Sequence, residues 1–288
     1  MGGGPVASYR GAMPPSMASM AAMSYDRHCS EIVAQTALLV SHVEGAELSA
    51  PVPACPGWNL VQLLRHLGEA HRWVETIVRT RASGPVSEER INKVSDATDQ
   101  DPAELAAWLT EGAGQLADAL RTAGPEAAVW TVAPGGTPVF WARRMTHETV
   151  VHRADAAFAV GADFTVDDEV AIDALDEWMS FGHLPPVFET RPDLPALLAG
   201  GRTLCFRATD TAPEAGAEWL VGLGGDTLAS RRGGGPATVT AQGPLADLLL
   251  FVYGRRFAPG GAGGGVEVLG DEALLDAWLD ATSFWLKE

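Results

Sequence analysis

The stretch R-R-M-T-H-E-T-V-V-H-R-A-D-A, residues 143–156, is the part of the chain around which the fold is best interpreted. It places Glu148 and His152 four residues apart, and on an α-helix that spacing stacks two side chains on one face. A carboxylate and an imidazole so placed can bind one divalent ion. The best third ligand is His66, in L-L-R-H-L-G-E-A-H-R-W on another predicted helix. Three protein ligands and one open position are typical of a catalytic zinc.

The same residues allow a plainer interpretation. Glu148 and His152 also fit a solvated pair on a surface helix. His66 taken alone fits a buried structural histidine, although the preceding P-G-W block favours a ligand.

Composition limits the classes of partner. The chain has 288 residues and a formal charge of −17, which suits two modest domains or one large one. A field this negative repels phosphate backbones and anionic lipid heads, so neither nucleic acid nor a membrane surface is expected as a partner. No apolar run reaches the roughly 18–20 residues that a membrane span needs. A monomer or homodimer acting on a small molecule is expected.

Three cysteines without a C-x-x-C pair argue against a disulfide framework and favour the cytoplasm. Residues 1–22 are mostly Met, Gly, Pro, Ala and Ser, and they lack the basic start and apolar core of a signal peptide. We expect this segment to be a disordered or non-native extension.

Apolar spacing and capping residues predict a helical first domain, residues 23–190, with four or more packed helices. Ser24, Asn59 and Asp101 are the expected caps of its first three helices. The predicted helices span about Tyr25–Val43, 60–81, 102–120 and 139–160, and a further one starts at T-V-D-D, 165–168.

The character of the chain changes near residues 185–200, where we place the domain boundary. Residues 195–288 form the predicted α+β domain. Its expected strands are 202–208, 218–223, 237–241 and 266–269, and its expected helices are 244–254 and 272–286.

Three motifs carry a resemblance to a known family. They are V-P-A-C-P-G-W-N-L-V-Q-L-L-R-H-L (52–67), R-R-M-T-H-E-T-V-V-H-R-A-D-A (143–156), and a tail, V-T-A-Q-G-P-L-A-D-L-L-L-F-V-Y-G-R-R followed by V-E-V-L-G-D-E-A-L-L (239–275). With them the chain, over residues 24–288, resembles the mycothiol-dependent maleylpyruvate isomerase family of the DinB-like metal-binding superfamily.

That resemblance implies a fold and a set of ligands. The fold is an N-terminal DinB-like four-helix bundle with a smaller C-terminal α+β domain similar to sterol-carrier proteins. The implied metal is divalent, usually zinc, on His66, Glu148 and His152. Arg255, in the G-R of the tail, is implied to reach the active-site cleft. Members use low-molecular-weight thiols, mycothiol in actinobacteria, and a composition rich in Ala, Gly and Asp fits such a genome.

A metal of this kind can bind a thiol as the thiolate, which is a nucleophile at neutral pH. Addition to an activated cis double bond, rotation and elimination give cis–trans isomerisation. Attack on an electrophilic carbon without elimination gives an S-conjugate. The sequence therefore favours a thiol-dependent isomerase or S-transferase acting on an electrophilic small molecule. A thiol-independent tailoring enzyme of a natural-product pathway, or a non-catalytic small-molecule-binding protein, remains an alternative on the same fold.

Neighbouring side chains receive narrower roles. Asp155, three residues after His152, can accept a hydrogen bond from that imidazole, or it can pair with Arg143 or Arg144 at the surface. Arg255 can bind a substrate carboxylate, since guanidinium groups suit carboxylates, or it can be a surface residue. The remaining expectations are that His147 points away from the metal, His71 lies at the surface, Arg153 and Cys55 are structural, and Cys29 and Cys205 lie in the core.

Overall fold

The structure is a computed structural model, and it describes residues 23–87, 101–132, 136–181, 199–224, 228–255 and 264–283. The expected N-terminal extension, most of the predicted loop at 83–100, residues 284–286 of the last predicted helix and most of the predicted domain boundary lie outside these ranges.

Four helices form the first layer of the fold. They are α1 (Tyr25–Val43), α2 (Leu60–Thr80), α3 (Pro102–Ala123) and α4 (Pro138–Ala159). Helix α1 packs along α4 and α3, and α2 packs along α3 and α4. The predicted helical bundle is therefore confirmed, and α4, which carries the motif at 143–156, lies against both α1 and α2.

The predicted caps are all present. Ser24 accepts from the backbone N–H of Arg27, and Asp101 accepts from those of Ala103 and Glu104. Asn59 and Gln62 form a reciprocal capping box at the start of α2. These bonds satisfy backbone donors that the first turn of a helix leaves unpaired.

A fifth helix, α5 (Asp168–Ser180), leads into a five-stranded sheet. The sheet consists of β1 (Arg202–Ala208), β2 (Glu218–Leu223), β3 (Leu228–Arg232), β4 (Val239–Gly243) and β5 (Glu267–Gly270). Its order is β3-β2-β1-β4-β5, and only β1 and β4 are parallel. Helices α6 (Leu245–Val252) and α7 (Glu272–Thr282) pack on this sheet, which confirms the predicted α+β domain.

The apolar core of the sheet continues into α5. Burial alternates along β2, where Trp219, Val221 and Leu223 face inward. The same buried cluster contains Trp178 of α5 and Trp278 of α7. Helix α5 also packs on α6, so it connects the bundle to the C-terminal elements. None of the helices in the described ranges is long and apolar enough to cross a membrane.

Strand β3 was not predicted. Its sequence, L-A-S-R-R, carries two arginines and occupies an edge of the sheet. Edge strands commonly carry charges that block pairing with other chains, and such strands lack the alternating pattern on which sequence prediction depends.

Candidate functional site

Helix α4 presents Glu148 and His152 as neighbours, as their spacing predicts. His152 Nε2 lies 3.0 Å from Glu148 Oε1. The helix is buried along most of its length, and His152 is only 3% exposed, so the surface-pair interpretation is wrong.

Helix α2 brings His66 to the same place. Its Nε2 lies 3.5 Å from Glu148 Oε1, and its ring centroid lies 5.1 Å from that of His152. Trp58, just before the helix, also packs against His66, with ring centroids 5.1 Å apart. The capping box at Asn59 fixes where α2 begins, and thereby the turn on which His66 stands.

The donor atoms of His66, Glu148 and His152 all lie within 4.8 Å of one another. Ligands bonded to one tetrahedral ion at about 2.0–2.2 Å are separated by about 3.3–3.6 Å. The separations of 3.0 and 3.5 Å within this trio are close to that spacing. Two imidazoles and a carboxylate are also donors that zinc accepts. These residues therefore fit a divalent metal.

Asp155 orients the imidazole of His152 through a hydrogen bond. His152 Nδ1 lies 2.9 Å from Asp155 Oδ2, so the Nδ1–H donates to the carboxylate and leaves Nε2 directed at Glu148. The first of the two expected roles of Asp155 is the one that the geometry favours, because this residue is fully buried and does not reach the surface.

Arg255 forms a forked ion pair with the same carboxylate. Its Nε donates to Asp155 Oδ1 at 3.0 Å, its Nη2 donates to Oδ2 at 2.6 Å, and its Nη1 donates to the backbone oxygen of Tyr253. Arg255 is 7% exposed, so the surface alternative is wrong. Burial raises the pKa of Asp155, but Arg255 and His152 outweigh it and lower that pKa to about 2. Substrate anchoring by Arg255 stays a prediction.

The charges at the trio stabilise an ionised carboxylate. Burial alone would raise the pKa of Glu148, but hydrogen bonds from His152 and His66 and the nearby Arg144 hold it well below its usual range. Burial also opposes charge on His152, yet its hydrogen bonds to Asp155 and Glu148 raise its pKa to about 10.

Arg144 links the trio to a second buried group. Its Nη2 donates to Glu148 Oε2 at 3.2 Å, and its Nη1 bonds to Glu177 and to the hydroxyl of Tyr253. Glu177 in turn accepts from His147 Nδ1 at 2.8 Å. His147 thus points away from the trio, as predicted.

Beyond His147 lies a second cluster of possible ligands. The donor atoms of His28, His147 and Asp173 lie within 4.8 Å of one another, on α1, α4 and α5. Burial lowers the pKa of His28 to about 4, although Asp173 opposes that shift. Sequence reasoning did not single out His28, Asp173 or Glu177. The available signal was Asp173 and Glu177, two acids one turn apart on the otherwise apolar face of α5.

Four further expectations can be compared with the structure. Arg153 is structural, because its guanidinium bonds to the backbone of Thr165 and covers the ring of Phe164. Cys29 and Cys205 are buried, as predicted. His71 is fully buried rather than at the surface, because its Nε2 bonds to Thr149 Oγ1 across the α2–α4 contact.

Cys55 lies beside the site without an assigned role. Its Sγ is 3.8 Å from Asp155 Oδ2, on the side of that carboxylate that also receives Arg255. The structure places the thiol near His152 as well, since Cys55, His152 and Asp155 have donor atoms within 4.8 Å of one another. Its expected structural role stays a prediction.

Two family models match the chain. The mycothiol maleylpyruvate isomerase N-terminal domain matches residues 29–157, and the MDMPI C-terminal domain matches residues 169–277. The first contains the trio and Asp155, and the second contains Arg255. No relative was found among curated proteins.

Solved structures show the same fold. The crystal structure of the mycothiol-dependent maleylpyruvate isomerase is 15% identical in sequence, covers 85% of this chain and 93% of that chain, and gives a TM-score of 0.55. A mutant of that enzyme with a histidine replaced by alanine matches with the same coverage and TM-score at 14% identity.

Proposed function

Because the chain belongs to the mycothiol maleylpyruvate isomerase family, we propose that it is a metal- and mycothiol-dependent enzyme whose leading activity is cis–trans isomerisation. The observation that carries the proposal is the convergence of His66 Nε2 and His152 Nε2 on Glu148 Oε1. We propose these three residues as ligands of a divalent metal, with zinc favoured. When bound, the metal would lower the pKa of a coordinated thiol enough for it to react as the thiolate.

The protein's own residues prepare that chemistry. Asp155 accepts a hydrogen bond from the Nδ1–H of His152. This bond fixes the orientation of the ring and leaves Nε2 available as a metal ligand. Arg255 fixes Asp155 through two hydrogen bonds, and Arg144 holds the outer oxygen of Glu148. Glu148 is the partly exposed member of the trio, with 24% of its side chain accessible. A thiol would therefore approach the metal from the side of Glu148.

The isomerisation balances without a further reactant. The thiolate sulfur forms a bond to one carbon of the cis double bond, and the electron pair of that double bond moves onto the conjugated carbonyl. The former double bond rotates as a single bond. Return of the electron pair then expels the thiolate and leaves the trans isomer, so the thiol is regenerated. If the adduct is protonated instead, the product is an S-conjugate, which is the transferase alternative.

Glu148→Gln tests the proposal, because it keeps the side-chain size and removes the anionic oxygen between the two histidines. We expect purified wild-type protein to retain zinc, to gain thermal stability with millimolar mycothiol, and to isomerise maleylpyruvate only when mycothiol is present. The variant should lose these three properties. Glu47→Gln, an exposed position on the loop after α1, is the matched control and should keep them.

The results also separate the alternatives. Isomerisation without mycothiol would overturn thiol dependence and favour a thiol-independent enzyme. Consumption of mycothiol in step with substrate would assign an S-transferase. Full activity of Glu148→Gln after exhaustive chelation would overturn the proposed metal centre.

A further inference from the structure

We propose that the protein binds a second divalent cation of the zinc type, held by His28, His147 and Asp173, in a site separate from His66, Glu148 and His152. The inference does not depend on the proposed activity, because it stands on the geometry of three other side chains from α1, α4 and α5.

The second cluster repeats the geometry of the first. His147 Nε2 lies 3.1 Å and His28 Nε2 lies 3.5 Å from the same oxygen, Oδ2 of Asp173. The corresponding distances to Glu148 Oε1 are 3.0 Å from His152 and 3.5 Å from His66. In both clusters two imidazoles converge on one carboxylate oxygen, with separations close to the roughly 3.3–3.6 Å expected around a tetrahedral ion.

Hydrogen bonding on the far side of His28 shows which of its nitrogens carries the proton. Thr146 Oγ1 has a single proton, which it donates to a backbone carbonyl, that of Ala142 at 2.9 Å or of His28 at 3.1 Å. The same oxygen lies 3.3 Å from His28 Nδ1, so it accepts the Nδ1–H. Neutral His28 therefore directs the lone pair of Nε2 at the Asp173 carboxylate.

His147 is held in the same way. Its Nδ1–H donates to Glu177 at 2.8 Å, which leaves Nε2 directed at Asp173 Oδ2. This is the carboxylate–imidazole arrangement that orients metal-bound histidines in general. The two Nε2 atoms and Asp173 Oδ2 therefore face one another, and a cation placed among them would bond to all three.

Two arginines pair with the acids in and beside the cluster. Arg143 Nε donates to Asp173 Oδ2 at 2.9 Å and Arg144 pairs with Glu177, so the arginines neutralise these two acids. A carboxylate oxygen has more than one lone pair, and Oδ2 can therefore accept from Arg143 and still bind an ion.

An acidic cavity borders one member of the cluster, Asp173. Asp173 lines a cavity of about 410 Å³ beside the start of α5, and its wall is rich in acids. The acidic residues on this wall are Asp167, Asp168, Glu169, Asp176 and Glu214, of which Asp176 is paired with Arg232. A cleft lined by one sign of charge concentrates ions of the opposite sign. The three proposed ligands are themselves nearly closed to solvent, since His28, His147 and Asp173 are 3%, 0% and 4% exposed.

Metal stoichiometry after zinc loading and gel filtration tests the inference. We expect two zinc ions per chain in the wild type, one in His28→Gln and one in His66→Gln. Asp173→Asn is a second variant of the new site that keeps side-chain size and should also bind one. His42 is on the same helix as His28 but belongs to neither cluster, so His42→Gln should bind two. Circular dichroism and thermal melting show whether each variant is folded.

Anomalous diffraction at the zinc edge gives a readout that does not depend on any substitution. A peak between His28, His147 and Asp173 supports the inference. A wild type that binds one zinc, lost in His66→Gln and kept in His28→Gln, overturns the inference and leaves the proposed function standing. One zinc lost only in His28→Gln and Asp173→Asn would support the inference and contradict the proposed metal centre.

Discussion

Arg255 donates two hydrogen bonds to the carboxylate of Asp155, from Nε to Oδ1 at 3.0 Å and from Nη2 to Oδ2 at 2.6 Å. The two residues are 100 positions apart, and they join the segment after α6 to the bundle helix α4. Since Asp155 also accepts from His152 Nδ1, the C-terminal part of the chain sets the orientation of an imidazole in the proposed metal site. The small C-terminal domain is thus part of that site.

Replacement of Arg255 by alanine should destabilise the fold. It leaves the fully buried Asp155 without its cation, and removal of one partner of a buried ion pair costs about 3–5 kcal/mol. Urea unfolding measures the change in the free energy of unfolding. Arg207→Ala is the control, because it breaks the half-exposed pair with Glu218 and should cost at most about 1 kcal/mol. Equal losses in the two variants would show that the Asp155 pair has no special structural role.

Asp155→Asn should weaken metal binding while the three proposed ligands remain. An amide is a weaker acceptor for the Nδ1–H of His152, and loss of such a partner typically lowers metal affinity about 10- to 100-fold. Competition with a chromophoric chelator measures the affinity. Asp118→Asn, an exposed position on α3, should leave it unchanged. An unaltered affinity in Asp155→Asn would remove Asp155 from the metal site.

The trio could be predicted from the sequence because two of its members lie within one helical turn. Four-residue spacing fixes the relative position of Glu148 and His152 whatever the rest of the fold does, and a family motif identified His66. The partner of Arg255 could not be predicted in this way, because its position depends on how α6 packs on α5. The cluster of His28, His147 and Asp173 draws one residue from each of three helices, so no spacing in the sequence reveals it.

His71 should make the protein less stable in mild acid. Burial lowers its pKa to about 3, with Arg72 adding to the effect, whereas the unfolded residue titrates near 6.5. Below pH 6.5 the unfolded chain therefore binds a proton that the folded chain does not, and stability falls as pH falls, by up to about 1.4 kcal/mol per pH unit.

His71→Gln provides the matched comparison for that pH effect. Thr149 Oγ1 donates to Met145, so it accepts from His71 Nε2–H, and a glutamine amide can replace that donor without titrating. Urea unfolding at pH 7, 6 and 5 should give a shallower loss of stability in the variant. Parallel curves for the two proteins would mean that His71 takes up a proton in the folded state.

Replacing each of two helical glycines with alanine should change the stability of the protein in opposite directions. A Cβ on Gly68 of α2 would lie 2.1 Å from the ring of Trp108 on α3, so the helices must separate or the indole must move, at a cost of about 1–3 kcal/mol. A Cβ on Gly114 of α3 meets nothing within 4 Å, and alanine there should stabilise the helix by about 0.5–1 kcal/mol. Thermal and urea unfolding of both variants check the pair. A Gly68→Ala protein as stable as the wild type would show that the Trp108 indole yields its place at no cost, and that α2 and α3 are not held at their present distance by this contact.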